Sequence, residues 1–417
     1  MKKFITHWTF AFVTLVVLTY IGLQEPYVKE ILKLKSFDIL IQQEEKELSK
    51  DIGIVTIDEK SIEKYGQWPW KRDVIAEVIT NLRQSGAGVI MIPILFSEED
   101  RLGGDDILSQ TLIDNGVVIA QVGTSQINKN SVPRGVAKIG NPLPYLFEWD
   151  GMLGPISKLG QNANGVGVIN TAPEIDGVVR RIPLIMRIGQ DTYPTMAVEV
   201  IRVATGNPSY QVKAGDGGVQ AIRVPGFPII NTDPNARIWL HWNKQFETIS
   251  ASESDFSKFN AHTVIIGMTA EGLGGIIATP VGEQYDYVLS ASTLQTMIDG
   301  KQINRYDVSS FLELVLSFVL GIVVILIARF TPYWFVGLSL LSLYGISVYG
   351  SYYLFNQHLI LSDVSWIIIV ITIVGMHSIF NRFILEFRLK QQIRKQFETY
   401  LDPRQVAELQ KDPSKLK

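Results

Sequence analysis

Asp58 and Glu59 stand side by side directly after the apolar run 52–57. Ligands of α/β proteins gather outside the carboxyl ends of strands, so the pair is placed to bind a ligand or a cation. The same Asp58 can instead cap the turn that follows at Ser61. Next comes Trp68-Pro69-Trp70-Lys71-Arg72. Two indoles and a guanidinium can form an aromatic ligand wall with a cation above it. They can equally plug a domain edge, with Pro69 stiffening the loop and Asp73 opening a helix. Asp58, Trp68, Trp70 and Arg72 are therefore the candidate ligand-binding residues. Arg180 and Arg181 are adjacent, so on a strand only one of them can face a site. Asp176, before Gly177, is a turn residue first.

Other chemistry is poorly supported. Gly272-Leu273-Gly274-Gly275 has backbone amides that can cradle an anion, but no lysine follows and the flanks do not fit a Walker loop. There are no cysteines, which excludes thiolate ligands, thiol nucleophiles and a disulfide framework. The five histidines, His7, His241, His262, His358 and His377, are scattered without metal-ligand spacing. No nucleophile elbow occurs. No catalytic residue, metal ligand or cofactor is expected in these residues. A net charge of −3 without a basic stripe argues against nucleic acid as a partner.

The elements that must position Asp58 and the tryptophans read as an α/β domain with a mixed sheet. Residues 52–57 form a strand, 73–84 an amphipathic helix closed by Gly86, and 89–96 the next strand, a crossover that implies parallel pairing. Residues 105–115 and 117–122 repeat the theme. Segments 167–170 and 178–188 flank Asp176-Gly177, which predicts a hairpin. Further on, 195–204 and 288–299 read as helices, and 238–242 and 264–268 as strands.

Both ends of the chain are greasy. Residues 4–23 are nearly all apolar after Lys2 and Lys3, long for a signal peptide and without a small-x-small cleavage site, so an uncleaved anchor is expected. Three further runs, 311–328, 333–355 and 364–380, are each long enough to span. With four crossings, Lys2, Lys3, Arg329, Arg382, Arg388, Lys390, Arg394 and Lys395 fall on one side, which makes both termini cytoplasmic and the large middle domain periplasmic or extracellular. The expected division is an anchor at 1–23, an extracytoplasmic domain at 24–307, three transmembrane helices at 308–381 and a cytoplasmic linker or output helix at 382–417. Glu313 and His377 lie near span ends, where each is either a functional group or one that reaches headgroup water. Ser347 and Ser351, four apart, mark close helix packing. In the tail Leu385, Leu389, Ile393 and Phe397 recur every four residues, as in a signalling coiled coil or an amphipathic helix lying on headgroups.

The order of several stretches resembles the CHASE-two domain, the second type of cyclase- and histidine-kinase-associated sensory extracellular domain. They are Ile57-Asp58-Glu59-Lys60-Ser61, Gly66-Gln67-Trp68-Pro69-Trp70-Lys71-Arg72, Ile94-Leu95-Phe96-Ser97-Glu98, Asp176-Gly177-Val178-Val179-Arg180-Arg181-Ile182-Pro183-Leu184, Val264-Ile265-Ile266-Gly267 and Ala278-Thr279-Pro280. The resemblance implies an unknown extracytoplasmic ligand or stimulus at a plasma (inner) membrane. The chain departs from the family pattern where Pro93 and Gly275 replace aspartates and Ser290 replaces a histidine, so a ligand site built on those three would be missing.

Gln396-Phe397-Glu398-Thr399-Tyr400-Leu401-Asp402-Pro403, with Val406, Leu409 and Asp412-Pro413, looks like the linker before class III adenylate or guanylate cyclase domains. The resemblance implies a homodimer, a cyclase output expected to begin where the chain ends, and magnesium or manganese only in that attached domain. A stand-alone sensor or scaffold signalling through a partner, and the input half of a histidine kinase, remain as alternatives. Residues 382–417 contain no phosphoacceptor histidine.

Overall fold

A computed structural model of the chain describes residues 9–126, 130–306 and 308–398, with the side chains of Phe397 and Glu398 outside that description. The expected linker string beyond residue 398 therefore lies outside the described residues. The chain divides into two compact units, with boundaries at Ser36/Phe37 and Asn304/Arg305.

The larger unit is built on a seven-stranded sheet. Its spatial order is Lys244–Ser250, Glu47–Ile57, Thr263–Met268, Ile90–Ile92, Val117–Thr124, and then Gly151–Leu153, with Gly165–Val168 also paired to Val117–Thr124. Every pairing is parallel except that of Gly151–Leu153, so the sheet is mixed. Parallel strands need crossovers, and buried strands on both faces read as continuous apolar runs. Val55, Ile57, Ile90, Ile92, Val117 and Ile119 point to one face, where they meet Ile75, Ile79 and Leu82 of helix Arg72–Gln84 and Leu108 and Leu112 of helix Asp105–Leu112. Each such aliphatic side chain contributes about 1.5–3 kcal/mol by leaving water. Ile54, Met91, Val118 and Ile265 are buried on the other face, which helices Met196–Ala204 and Asp286–Asp299 cover. Close approach there needs glycine: a Cβ on Gly267 would stand 2.4 Å from the Tyr287 ring.

Several expected elements are redrawn. The strand expected over 89–96 is only Ile90–Ile92. Pro93 has no N–H to continue the ladder, and Ile94 and Phe96 are buried from a loop instead. The Asp176-Gly177 turn forms, with Gly177 at φ +78° and its N–H donating to Glu174 O at 2.9 Å. Its flanks do not make a hairpin, because Gly165–Val168 stays in the large sheet while Arg181–Pro183 pairs with Arg237–Trp239. Pro173 and Pro183 remove two of the donors that a continuous ladder would use. Smaller sheets complete the unit, among them the hairpin Tyr210–Gly215/Gly218–Arg223.

Among the described residues three helices are long and apolar enough to cross a membrane, Ser309–Phe330, Tyr333–His358 and Ser365–Gln396, all in the smaller unit; there are up to four spans if Thr9–Leu23 and Tyr27–Gln42, bent by 76°, count as one. Lys29 Nζ donates to Gly22 O at 3.0 Å across that bend and satisfies a carbonyl at the end of the first helix. Ala11 and Leu15 pack with Leu314, Val324, Val370 and Val374. The tightest approach is at Gly321, where a Cβ would stand 2.4 Å from Leu15 Cδ1. Ser351, expected to mark helix packing, instead donates to Ser362 O at 3.0 Å in the loop ahead of the last helix. His377 Nδ1 lies 2.8 Å from Thr14 Oγ1.

Candidate functional site

Helix Tyr27–Gln42 was not foreseen as an element, and its last turns hold a buried polar site of the larger unit. Phe37 and Ile41 are buried there, and Asp38, on the turn between them, is buried too. A buried carboxylate needs partners, and the partner is Arg180, itself fully buried. Arg180 Nε and Nη2 donate to Asp38 Oδ1 and Oδ2 at 2.6 and 2.8 Å. Its Nη1 and Nη2 donate to Asp176 Oδ1 and Oδ2, both at 2.8 Å. One guanidinium thus engages two carboxylates in fork geometry. Burial alone would lower the Arg180 pKa; the hydrogen bonds and charges of Asp38 and Asp176 outweigh it and push the pKa up. The backbone of Arg180 is held as well, since Leu240 N donates to Arg180 O at 3.0 Å and Val179 N to Ala278 O at 2.9 Å.

Arg181 turns to the other side of the chain, as alternation requires. It is bidentate with Glu174 at 2.6 and 2.7 Å, and its Cζ lies 4.6 Å from the centre of the Trp239 ring. Trp239 in turn packs on Phe37, with ring centres 4.7 Å apart. Gln42 Nε2 donates to Pro280 O at 2.5 Å. Both Glu44 carboxylate oxygens lie 3.1 Å from His241 Nδ1, and His241 N donates to Thr296 Oγ1 of the closing helix at 3.1 Å. Two stretches that carry the sequence resemblance, around Asp176–Arg181 and at Ala278-Thr279-Pro280, therefore converge on one short helix end.

The residues singled out from sequence lie elsewhere. Asp58 caps helix Glu59–Tyr65 in a reciprocal box: Ser61 N donates to Asp58 Oδ1 at 3.0 Å and Asp58 N to Ser61 Oγ at 2.8 Å. Ser250 Oγ also donates to Asp58 Oδ1, at 2.7 Å. Glu59 Oε1 accepts from Glu271 N at 2.7 Å. Trp70 is buried, donates Nε1–H to Gly66 O at 2.8 Å and meets Trp68 edge-on at 5.5 Å. Both indoles pack on the core beneath the sheet. Arg72 stacks on Phe96, not on a tryptophan, at 4.4 Å, and contacts Asp105 at 3.3 Å. The structure brings Trp68 and Trp70 together and leaves the Arg72 guanidinium with other partners.

Of the three departures from the family pattern, Gly275 is the clearest in space. A Cβ at 275 would come 2.5 Å from Asp286 Oδ2, so the place an acidic side chain would take at 275 is occupied by the carboxylate of Asp286. Beside it, the Tyr287 hydroxyl is pushed up to about 12, by burial first and then by Tyr285 and Asp286. Ser290 faces Asn170 and Thr195 across a small cleft. No group of three or more metal-ligating side chains occurs among the described residues.

In the smaller unit Leu385, Leu389 and Ile393 are exposed on the helix that continues unbroken from the last span to Glu398; the Phe397 side chain lies outside the described residues. Arg382 fixes the start of this extension. It donates to Ala328 O at 3.1 Å and to Thr331 O, pairs with Glu386 at 3.1 Å and lies 4.7 Å from the centre of the Tyr333 ring.

A mixed-sheet α/β domain in one unit and, among the described residues, three apolar helices of spanning length in the other, or up to four with the bent pair, describe a membrane protein. The CHASE2 domain family matches residues 11–328, and the chain belongs to that family. CHASE2 is a sensory extracellular domain of signalling proteins. No curated protein and no solved structure matches the chain.

Proposed function

We propose that this chain is the input half of a transmembrane receptor that senses an extracytoplasmic stimulus and passes it to a cytoplasmic class III adenylate or guanylate cyclase domain. The observation that carries the reading is the Asp38–Arg180–Asp176 clamp, which fixes the end of helix Tyr27–Gln42 to the sensor domain. A rearrangement of that domain cannot leave the helix end behind without breaking the two charge-assisted hydrogen bonds from Arg180 to Asp38. In this reading the membrane is crossed four times, both termini are cytoplasmic and residues 382–417 are the cytoplasmic link to the output of a homodimer. The basic residues on one side of the spans and the Arg382 contacts support it. Magnesium or manganese belongs to the attached cyclase domain.

The test is a fusion of a class III catalytic domain after Lys417. Deleting residues 51–299 should change its cyclic nucleotide output, and Asp38→Asn should change it in the same direction. A fusion indifferent to both would leave the domain as an anchor or scaffold. Reporters after Asn260 and Lys417 should read external and cytoplasmic, and an external C-terminus would refute four spans. Cysteines placed singly at Ile393 or Phe397 in this cysteine-free chain should crosslink between copies in native membranes.

A further inference from the structure

The smaller unit holds a cavity of about 570 Å³ between helices Ser309–Phe330, Tyr333–His358 and Ser365–Glu398. That is the size of a small-molecule site. Most of its wall is hydrocarbon, from Leu316 and Leu320 on one side and Leu343, Ile346 and Ile367 on the others. One end is different, because Glu313 and Asp363 both line it.

The charges at that end do not balance. Glu313 is held by Arg305, whose Nη1 and Nη2 donate to Oε1 and Oε2 at 3.0 and 2.9 Å. Asp363 N adds a hydrogen bond to Glu313 Oε1 at 2.7 Å. Asp363 itself is 1% exposed. Its Oδ1 accepts from Ser365 N and Ser365 Oγ at 2.9 and 2.5 Å, while its Oδ2 is buried with no partner. Among the described residues, two carboxylates at this end face one guanidinium. A carboxylate oxygen closed off from water and left unbonded is costly, more so against apolar walls. A ligand that complements the cavity therefore brings a hydrogen-bond donor with positive charge to Asp363 Oδ2 and a hydrocarbon chain to the leucines.

We propose that this cavity binds a membrane lipid with a primary ammonium head group, which donates to Asp363 Oδ2 while one acyl chain lies along Leu316, Leu320, Leu343 and Ile346. An ammonium fits the vacant oxygen and the excess negative charge together. A trimethylated head group has no N–H to give, and an anionic one meets two carboxylates.

The test uses the full chain in lipid nanodiscs of three compositions with matched acyl chains: phosphatidylethanolamine, phosphatidylcholine and phosphatidylglycerol. Native mass spectrometry counts retained lipid, and thermal unfolding follows its stabilisation. The ethanolamine lipid should be retained about tenfold better than the choline lipid, the scale of one charge-assisted hydrogen bond. Asp363→Asn should abolish the preference, and Leu316→Trp, which fills the cavity but leaves the carboxylates, should lower retention of all three lipids. Equal retention of ethanolamine and choline lipids, or a preference intact in Asp363→Asn, would overturn the proposal. So would protection of the cavity by a second copy, read as crosslinking through a cysteine at Ile346 with no retained lipid. Should Asp363→Asn not fold, Leu316→Trp with the lipid comparison decides alone.

Discussion

The sheet edge around Asp58 and the helix seat around Arg180 use similar side chains to opposite ends. At the edge, acidic and hydroxyl groups are consumed locally: Asp58 and Ser61, three residues apart, bond each other, and Trp70 reaches back only to Gly66. At the seat, Arg180 bonds Asp38 across 142 positions of sequence and Asp176 across four. The first arrangement starts a helix and closes a loop. The second joins parts of the domain that are far apart in sequence, alongside the Phe37–Trp239 and Gln42–Pro280 contacts, which is what a relay requires. Proximity of suggestive residues in sequence therefore located a cap, whereas the proposed coupling site is assembled from distant chain segments.

Replacing the guanidinium should break this contrast most strongly. Arg180→Leu takes the guanidinium from the buried Asp38 and the half-buried Asp176, and removing one partner of a buried ion pair costs about 3–5 kcal/mol. Thermal or denaturant unfolding of the full chain in detergent should show the loss. A change under about 1 kcal/mol would mean that water reaches the site and that the clamp is not closed in solution.

Glu44 tests the outer rim of the same seat. Glu44→Ala takes the partner from His241 Nδ1, on a ring that is 7% exposed at the side chain and has no partner for Nε2. A hydrogen bond involving a charged group contributes about 1.5–3 kcal/mol, and Glu44 is partly open to water, so the lower end is expected. In the cyclase fusion, the substitution should shift output in the direction of Asp38→Asn but by less. An effect larger than that of Asp38→Asn would move the coupling site from Arg180 to His241.

How much of this was legible follows from the range of the interactions. Strands 52–57, 117–122 and 264–268 and the helix after Asp73 were readable because period and apolar runs are local, and the observed elements Glu47–Ile57, Val117–Thr124, Thr263–Met268 and Arg72–Gln84 contain or match them. Helix Tyr27–Gln42 was missed although Leu34, Phe37 and Ile41 recur at helical spacing, because Lys29, Glu30, Lys33 and Lys35 between them make the segment look like a polar linker. The edge strand Lys244–Ser250 is half-exposed throughout and has no apolar run to announce it. Arg180 and Asp176 were both noticed, the one as half of an alternating pair and the other as a turn residue. Asp38 was not, and nothing within a window of 142 residues could have joined it to them.

The smallest effect is expected at Asp58, and it separates the cap from a ligand site. Asparagine and serine cap helices about as well as aspartate, whereas alanine loses about 0.5–2 kcal/mol. If capping is the role of Asp58, Asp58→Ala should lower stability by that amount. Asp58→Asn should change it by only a few tenths of a kcal/mol, since its side-chain oxygen can still accept from Ser61 N and Ser250 Oγ. A ligand or cation held by the charge differs in the second readout: Asp58→Asn would again leave unfolding nearly unchanged but abolish the response of the cyclase fusion. The two assays must therefore be read together. Loss of signalling without loss of stability in Asp58→Asn would return the candidate site to the carboxyl edge of the sheet, with Glu59 and the carboxylate of Asp286 as the next positions to test. Normal signalling in Asp58→Asn, set against a changed output in Asp38→Asn, would assign the relay to the Arg180 seat and leave Asp58 as the first turn of a helix.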